Sequence, residues 1–373
     1  MSDAVSPRAF DTRCMNPKLL GILMISALAT SCSAQPPATA STLPSTTAPP
    51  TTLAPSPRPT PTSQMTGGQY AAKELFELQI TPTAIAASTS EVYVAEVALG
   101  ARQTDTLSKV VVVPLSGGAP TTVAGSETPA SVSINGLAFH DNALYMSTGS
   151  NGPTRLSGVF RLASGSSTPV VAGPGAPADL NHGNGDGGPP LSAALQGPAS
   201  LAFSTTGDLY IAESGDSRIR VVRDQTITTY AGGNGVGTYG AIPTGSATTA
   251  KLGWVGLIAV DPGGVAYAAQ LSRGKWIVRI DPSGAISTIS SSFPVSGLAI
   301  DINGDLLAAD DDGDRIVRFP RAHLDQPIVV VAGLGHIVAL ATGPDGSIYV
   351  ANWQSPDPTR AVTYKITRLI PLP

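Results

Sequence analysis

Short apolar runs separated by turn residues recur through most of the chain, and the stretch Pro198 to Gly232 (PASLAFSTTGDLYIAESGDSRIRVVRDQTITTYAG) shows the pattern in full. An apolar run leads to a polar turn with Gly, then to a second apolar run ending in small residues. A polar loop follows, then a run opening on Arg-Ile, and finally a Thr/Ile-rich run closing on Ala-Gly. Short apolar runs bounded by turn residues predict β-strands. The 3.6-residue spacing of an amphipathic helix is absent from this stretch.

The same order returns in runs beginning at Thr83, Asn135, Val255, Ser296 and Val338. Aligning them places Ala86, Ala138, Ala202, Ala259, Ala299 and Ala341 at one position, with Tyr93, Tyr145, Tyr210, Tyr267, Leu307 and Tyr349 opening the next strand. The alanines lie 52, 64, 57, 40 and 42 residues apart, the period of a four-stranded propeller blade with variable loops. The expected fold is all-β: a six-bladed β-propeller of four-stranded antiparallel blades over residues 69–373. The run DGGPPLSAALQGPASLAF…GDLYIAESGDSRIRVV…ITTYAG resembles the repeat of the NHL family of β-propellers. That resemblance covers about 300 residues, is strongest in the third and fifth repeats, and itself implies six blades. The last repeat supplies three strands, through AVTYKITRL, so the segment Glu74–Ile80 (ELFELQI) is expected to close the ring as its outer strand. Such closure leaves no open seam.

Upstream, Met15 to Cys32 (MNPKLLGILMISALATSC) has a positive start at Lys18, an apolar stretch from Leu19 to Ala29, and small residues before a cysteine. This is the three-part layout of a signal peptide. The ending LATSC resembles the bacterial lipoprotein box, with Ala29 where that family favours Leu. The resemblance implies that Cys32 is lipid-modified and becomes the first residue of the mature chain. Residues 1–31 are therefore read as the signal peptide, with Met15 as an alternative start. Residues 32–68, rich in Pro, Thr, Ser and Ala, are read as a disordered tether. The expected location is the outer face of the bacterial cytoplasmic membrane or the cell envelope.

Composition narrows the function. A formal net charge of −4, with no cluster of Lys and Arg interleaved with aromatics, argues against nucleic acid as a partner. The two cysteines, Cys14 and Cys32, both precede the repeats, so no disulfide framework is expected there. The four histidines, His140, His182, His323 and His336, are scattered. Neither a metal nor a cofactor is predicted. HGNGDGG (His182 to Gly188) contains the spacing Gly183-x-Gly185-x-x-Gly188, but no strand leads directly into it and Pro189-Pro190 follows. A dinucleotide fingerprint needs a strand before it and a helix after it. These glycines are read instead as punctuation between blades, where positive φ is needed. DDDGDR, from Asp310, misses the calcium-loop spacing.

In antiparallel blades the crossovers between blades and the loops between second and third strands emerge on one face. That face receives the long loops and is the expected binding surface. Its candidate residues are His182, Asp186, Glu213, Asp216, Arg218, Tyr239, Trp254, Asp310, Asp312, Arg315, Trp353 and Arg360. The expected function is a surface or periplasmic lipoprotein whose monomeric propeller is a binding scaffold for an exported protein or a cell-wall glycan. The alternative is a propeller enzyme, a metal-dependent lactonase, lyase or hydrolase, because similar six-bladed propellers gather ligands at the ring's centre. Here the inner strands offer no three His, no Glu/Asn/Asp set and no readable Ser-His-Asp arrangement.

Overall fold

The computed structural model describes residues 69–372, except 79, 98–107, 130, 151–156, 164, 173–184, 234–242, 244, 271–275, 291–292, 311 and 354–361. The described residues fall in one compact unit, Ser63–Pro373. The predicted signal peptide, Cys32 and the tether lie outside them. Strand β1 is Tyr70–Leu78; β2 (Thr81–Ala87), β3 (Glu91–Val97), β4 (Ser108–Pro114) and β5 (Thr121–Thr122) make blade 1. Blade 2 holds β6 (Val132–His140), β7 (Ala143–Ser150), β8 (Gly158–Ala163) and β9 (Ser166–Val171). Blade 3 holds β10 (Pro198–Phe203), β11 (Leu209–Glu213), β12 (Arg218–Arg223) and β13 (Thr226–Ala231). Blade 4 holds β14 (Val255–Val260), β15 (Ala266–Gln270), β16 (Trp276–Ile280) and β17 (Ile286–Ser290). Blade 5 holds β18 (Val295–Ile300), β19 (Leu306–Asp310), β20 (Arg315–Phe319) and β21 (Ile328–Ala332). Blade 6 takes β22 (His336–Thr342), β23 (Ile348–Trp353) and β24 (Tyr364–Pro371), with β1 as its fourth strand.

Each blade is a four-stranded antiparallel sheet, and the inner strands β2, β6, β10, β14, β18 and β22 touch in that order and back to β2. The protein is a closed six-bladed β-propeller. All six aligned pairs from the sequence are direct cross-strand partners: Ala86↔Tyr93, Ala138↔Tyr145, Ala202↔Tyr210, Ala259↔Tyr267, Ala299↔Leu307 and Ala341↔Tyr349. The apolar residues gather in six clusters, one at each blade–blade interface. Every residue of β11, β15 and β19 is buried, because the alternate faces of a second strand meet two different neighbouring blades. This explains the continuous apolar runs where a one-sided sheet would show alternation.

Blade 6 joins the two ends of the propeller: β1 pairs antiparallel with β24 from Tyr70↔Pro371 to Leu78↔Tyr364, and Lys365 Nζ lies 2.8 Å from Glu74 Oε2. The strand starts four residues before the expected Glu74 and ends two before Ile80, since β2 already begins at Thr81.

Inner strands approach closely at Gly136. A Cβ there would lie 2.1 Å from the Ala199 carbonyl oxygen of blade 3 and 2.9 Å from Ser147 Oγ, which donates a 2.7 Å hydrogen bond to that carbonyl. Gly136→Ala is expected to destabilise the propeller by ~1–3 kcal/mol, seen as a lower thermal midpoint. An unchanged midpoint would show that blades 2 and 3 separate freely.

Candidate functional site

The face opposite the long loops is closed by tight turns. Asp261–Gly264, Asp281–Gly284, Asp301–Gly304 and Gly343–Gly346 are each spanned by one backbone hydrogen bond of 2.8–3.1 Å. The face carrying the crossovers is built differently. Every inner strand has a β-bulge near its start, and the residue just before each bulge sits opposite the same position of strand two. The pairs are Pro82↔Glu96, Ile134↔Thr148, Pro198↔Glu213, Val255↔Gln270, Val295↔Asp310 and Ile337↔Asn352. The six strand-two residues form a ring of buried polar groups, none more than 3% exposed.

Burial of a polar group is tolerated only when it is bonded, and most of these hold nearby backbone. Glu213 accepts the Gln196 N–H at 2.9 Å, Gln270 donates to the Leu252 carbonyl at 3.4 Å, and Asn352 donates to the Leu334 carbonyl. Those three partners lie on the crossovers entering blades 3, 4 and 6. Asp310 accepts from Asp312 and Gly313, at 3.2 and 2.9 Å, within its own loop. Glu96 pairs with Lys109 at 3.3 Å. Of this ring only Glu213 and Asp310 were expected from the sequence. The others share a legible signal, a polar residue three positions beyond the aligned tyrosine or leucine.

Blade 3 adds charge to this frame. Arg218 Nε lies 2.6 Å from Glu213 Oε2, and its Nη2 lies 2.8 Å from Asp216. Arg220, on the same face of β12, places Nη1 3.8 Å from Glu213 and Nη2 2.5 Å from Asp186. The second oxygen of Asp186 accepts the Thr229 hydroxyl at 2.6 Å. Glu213 and Arg220 are fully buried. Burial pushes the Glu213 carboxyl above its ordinary range, against the pull of Arg218, Arg220 and the Gln196 N–H. Burial likewise lowers the Arg220 guanidinium, with Glu213 and Asp186 opposing it.

Asp186 reaches Arg220 because the crossover turns sharply at Gly185 (φ +88°), where a Cβ would lie 2.7 Å from Ala193 Cα. Gly187 and Gly188 then bond the backbone of Ile227 in the outer strand of blade 3. Within the described residues, HGNGDGG thus docks a crossover onto the next blade; His182 lies outside them.

Blade 5 repeats the frame more openly. Asp310 pairs with Arg315 at 2.8 Å in the register of Glu213 with Arg218, and Asp314 and Ser217 take the same left-handed turn (φ +52° and +55°). Asp312 is exposed. The three tryptophans divide: Trp276 is buried, Trp353 is half-buried and stacks on His336 at 4.5 Å, and Trp254 is 51% exposed. Tyr239 and Arg360 lie outside the described residues. The structure therefore brings Asp186, Glu213, Asp216 and Arg218 into one network and Asp310, Asp312 and Arg315 into a second, with Trp254 bonded to Ser217 in the loop of the first.

The bulges of the inner strands fall at Thr83, Asn135, Gly256, Ser296 and Val338, and between Pro198 and Leu201 in blade 3. Thr83 donates to the Ile134 carbonyl at 2.7 Å and Asn135 to the Pro198 carbonyl at 3.0 Å, each reaching the next blade. Bulges re-aim side chains, and here two of them lace adjacent inner strands together. Among the described residues, no three His, Cys, Asp or Glu side chains come together as a metal ligand set.

These features define a class: a closed six-bladed β-propeller of four-stranded antiparallel blades. No protein-family profile matches the chain, and no curated protein matches it. Solved structures do. A gluconolactonase from Xanthomonas campestris is similar with a TM-score of 0.55 and 12% identity, over 82% of this chain and 91% of its own. A calcium-binding protein, regucalcin, from Agrobacterium tumefaciens is similar with a TM-score of 0.51 and 14% identity, over 80% of this chain and 95% of its own. Likeness at this identity is a likeness of fold, and function resides in sites grafted on it.

Proposed function

We propose that the protein is an exported lipoprotein whose NHL-type propeller is a binding scaffold, presenting its long-loop face to another exported protein or a cell-wall glycan. The observation that carries this reading is Trp254. It ends the crossover into blade 4, stays half-exposed, and is held in a left-handed conformation (φ +30°) that side chains with a Cβ rarely adopt. Its backbone N–H donates at 2.9 Å to Ser217 Oγ, in the loop between β11 and β12, so the blade 3 frame holds the backbone from which the ring projects. A rigid, exposed aromatic suits a protein or sugar contact. The NHL-type assignment is supported by the repeat ending in GDSRIRVV, whose Arg218 and Arg220 enter the buried network.

Trp254→Ala is expected to weaken sedimentation of the full-length protein with isolated cell envelopes by roughly thirtyfold in apparent affinity, the size of a ~2 kcal/mol contact. Unchanged co-sedimentation with an unchanged thermal midpoint would remove Trp254, and with it the support for this face. The enzyme alternative, with a site at the central channel, has a different signature. Metal analysis of the purified protein showing a stoichiometric, EDTA-removable metal would count against a pure scaffold.

A further inference from the structure

A cleft of about 450 Å³ opens between blades 1 and 2, away from the long-loop face. Its origin is the outer strand of blade 1, which has two residues where those of blades 2 to 5 have five or six. Beyond the short strand, Gly125 packs against Gly165 and Ser166 of blade 2, and the cleft lies beside this contact. Part of the wall there is aromatic: the half-buried Tyr93 and Phe139 stack at 5.6 Å and 15° between planes, over the buried Leu144 and Leu162. The Tyr93 hydroxyl is already used, donating to Glu91, so the ring can take part only through its carbon skeleton.

Two polar side chains border this wall, Arg161 from β8 and Asn142 from the turn between β6 and β7. Both are exposed, and among the described residues Arg161 has no carboxylate partner and Asn142 makes no side-chain hydrogen bond. Apolar residues line the cleft together with polar groups that make up the larger part of its accessible surface, so an occupant must match both. The lone cation selects the charge of the occupant, since a guanidinium bonds a carboxylate in a paired, directional way.

We propose that this cleft binds a small aromatic carboxylate, its ring against Tyr93 and Phe139 and its carboxylate on Arg161, with Asn142 donating a second hydrogen bond. The site is independent of the long-loop face and stands or falls separately from the scaffold reading.

The test uses 3-phenylpropionate and its neutral counterpart 3-phenylpropionamide, titrated calorimetrically into the full-length protein. The carboxylate is expected to bind at least about tenfold more tightly than the amide. Arg161→Gln is expected to abolish that difference while leaving amide binding unchanged. Ala124→Trp, which fills the cleft from an exposed lining position, is expected to weaken both. Thermal midpoints equal to that of the native protein would show that both variants fold. Equal binding of acid and amide, an Arg161→Gln variant that keeps the preference, or no binding up to the solubility limit would overturn the proposal. So would an Ala124→Trp variant that binds both compounds normally, since that places the ligand elsewhere.

Discussion

Replacing Glu213 by alanine is expected to destabilise the propeller by ~3–5 kcal/mol, the usual loss when one partner of a buried ion pair is removed. Glu213 is the shared counter-charge of two guanidiniums. Arg218 retains Asp216, but Arg220 retains only Asp186, a third exposed at 34%. The Nε and Nη1 of Arg220 are buried without hydrogen-bond partners, so Glu213 is the nearest compensation in the interior. The substitution would also orphan the Gln196 N–H, loosening the crossover that carries Asp186. Asp310→Ala is the internal control. Its arginine is 38% exposed and finds water, and the N–H groups it caps lie in an exposed turn. A loss of no more than about 2 kcal/mol is expected there. Thermal melts of both variants decide the matter. If Glu213→Ala costs no more than Asp310→Ala, the buried network contributes nothing beyond an ordinary turn.

The contrast between these blades shows where sequence reading succeeds and where it stops. The fold was legible because each blade repeats one burial pattern, and an alanine facing a tyrosine across two strands leaves a fixed spacing along the chain. GDSR and DGDR align through the same repeat, and the structure gives both turns a left-handed residue at the matching position. What separates them is tertiary. Asp216 supplies Arg218 with a second carboxylate where blade 5 has Gly313, and Arg220 occupies the position held by Val317. Arg220's outside partner, Asp186, comes from another crossover, and no local spacing announces that pairing. The buried polar ring was visible residue by residue, yet its purpose depends on bulges and carbonyls that periodicity does not encode. Likewise, a blade's Thr-rich segment reads as an outer strand whether it pairs over two residues or six, so the cleft beside Arg161 left no mark. Of three tryptophans with similar local surroundings, only the fold exposes Trp254.

Cys32→Ala is expected to move the protein from the membrane fraction to the medium almost completely. The physical basis is the balance of anchors available to the chain. The apolar stretch Leu19–Ala29 has 11 residues, well short of the ~20 that span a bilayer. Among the described residues no helix is long and apolar enough to cross. Acyl chains contribute ~0.8 kcal/mol per buried CH₂, so lipid on a single cysteine, given more than one chain, is enough to hold a propeller at a membrane. On the proposed lipoprotein reading, removing the thiol removes the attachment point and leaves the Pro/Thr-rich segment and propeller unchanged. The measurement is the partition of the protein between membranes and medium, combined with the intact mass of the released chain. A mass that still includes residues 19–29 would mean that the leader was retained, and retention rather than lipid would then explain any residual sedimentation. A chain cleaved before position 32 that still sediments with membranes would sink the lipid-anchor reading. In that case the propeller itself would be the membrane-seeking part, and attention would move to its exposed apolar residues.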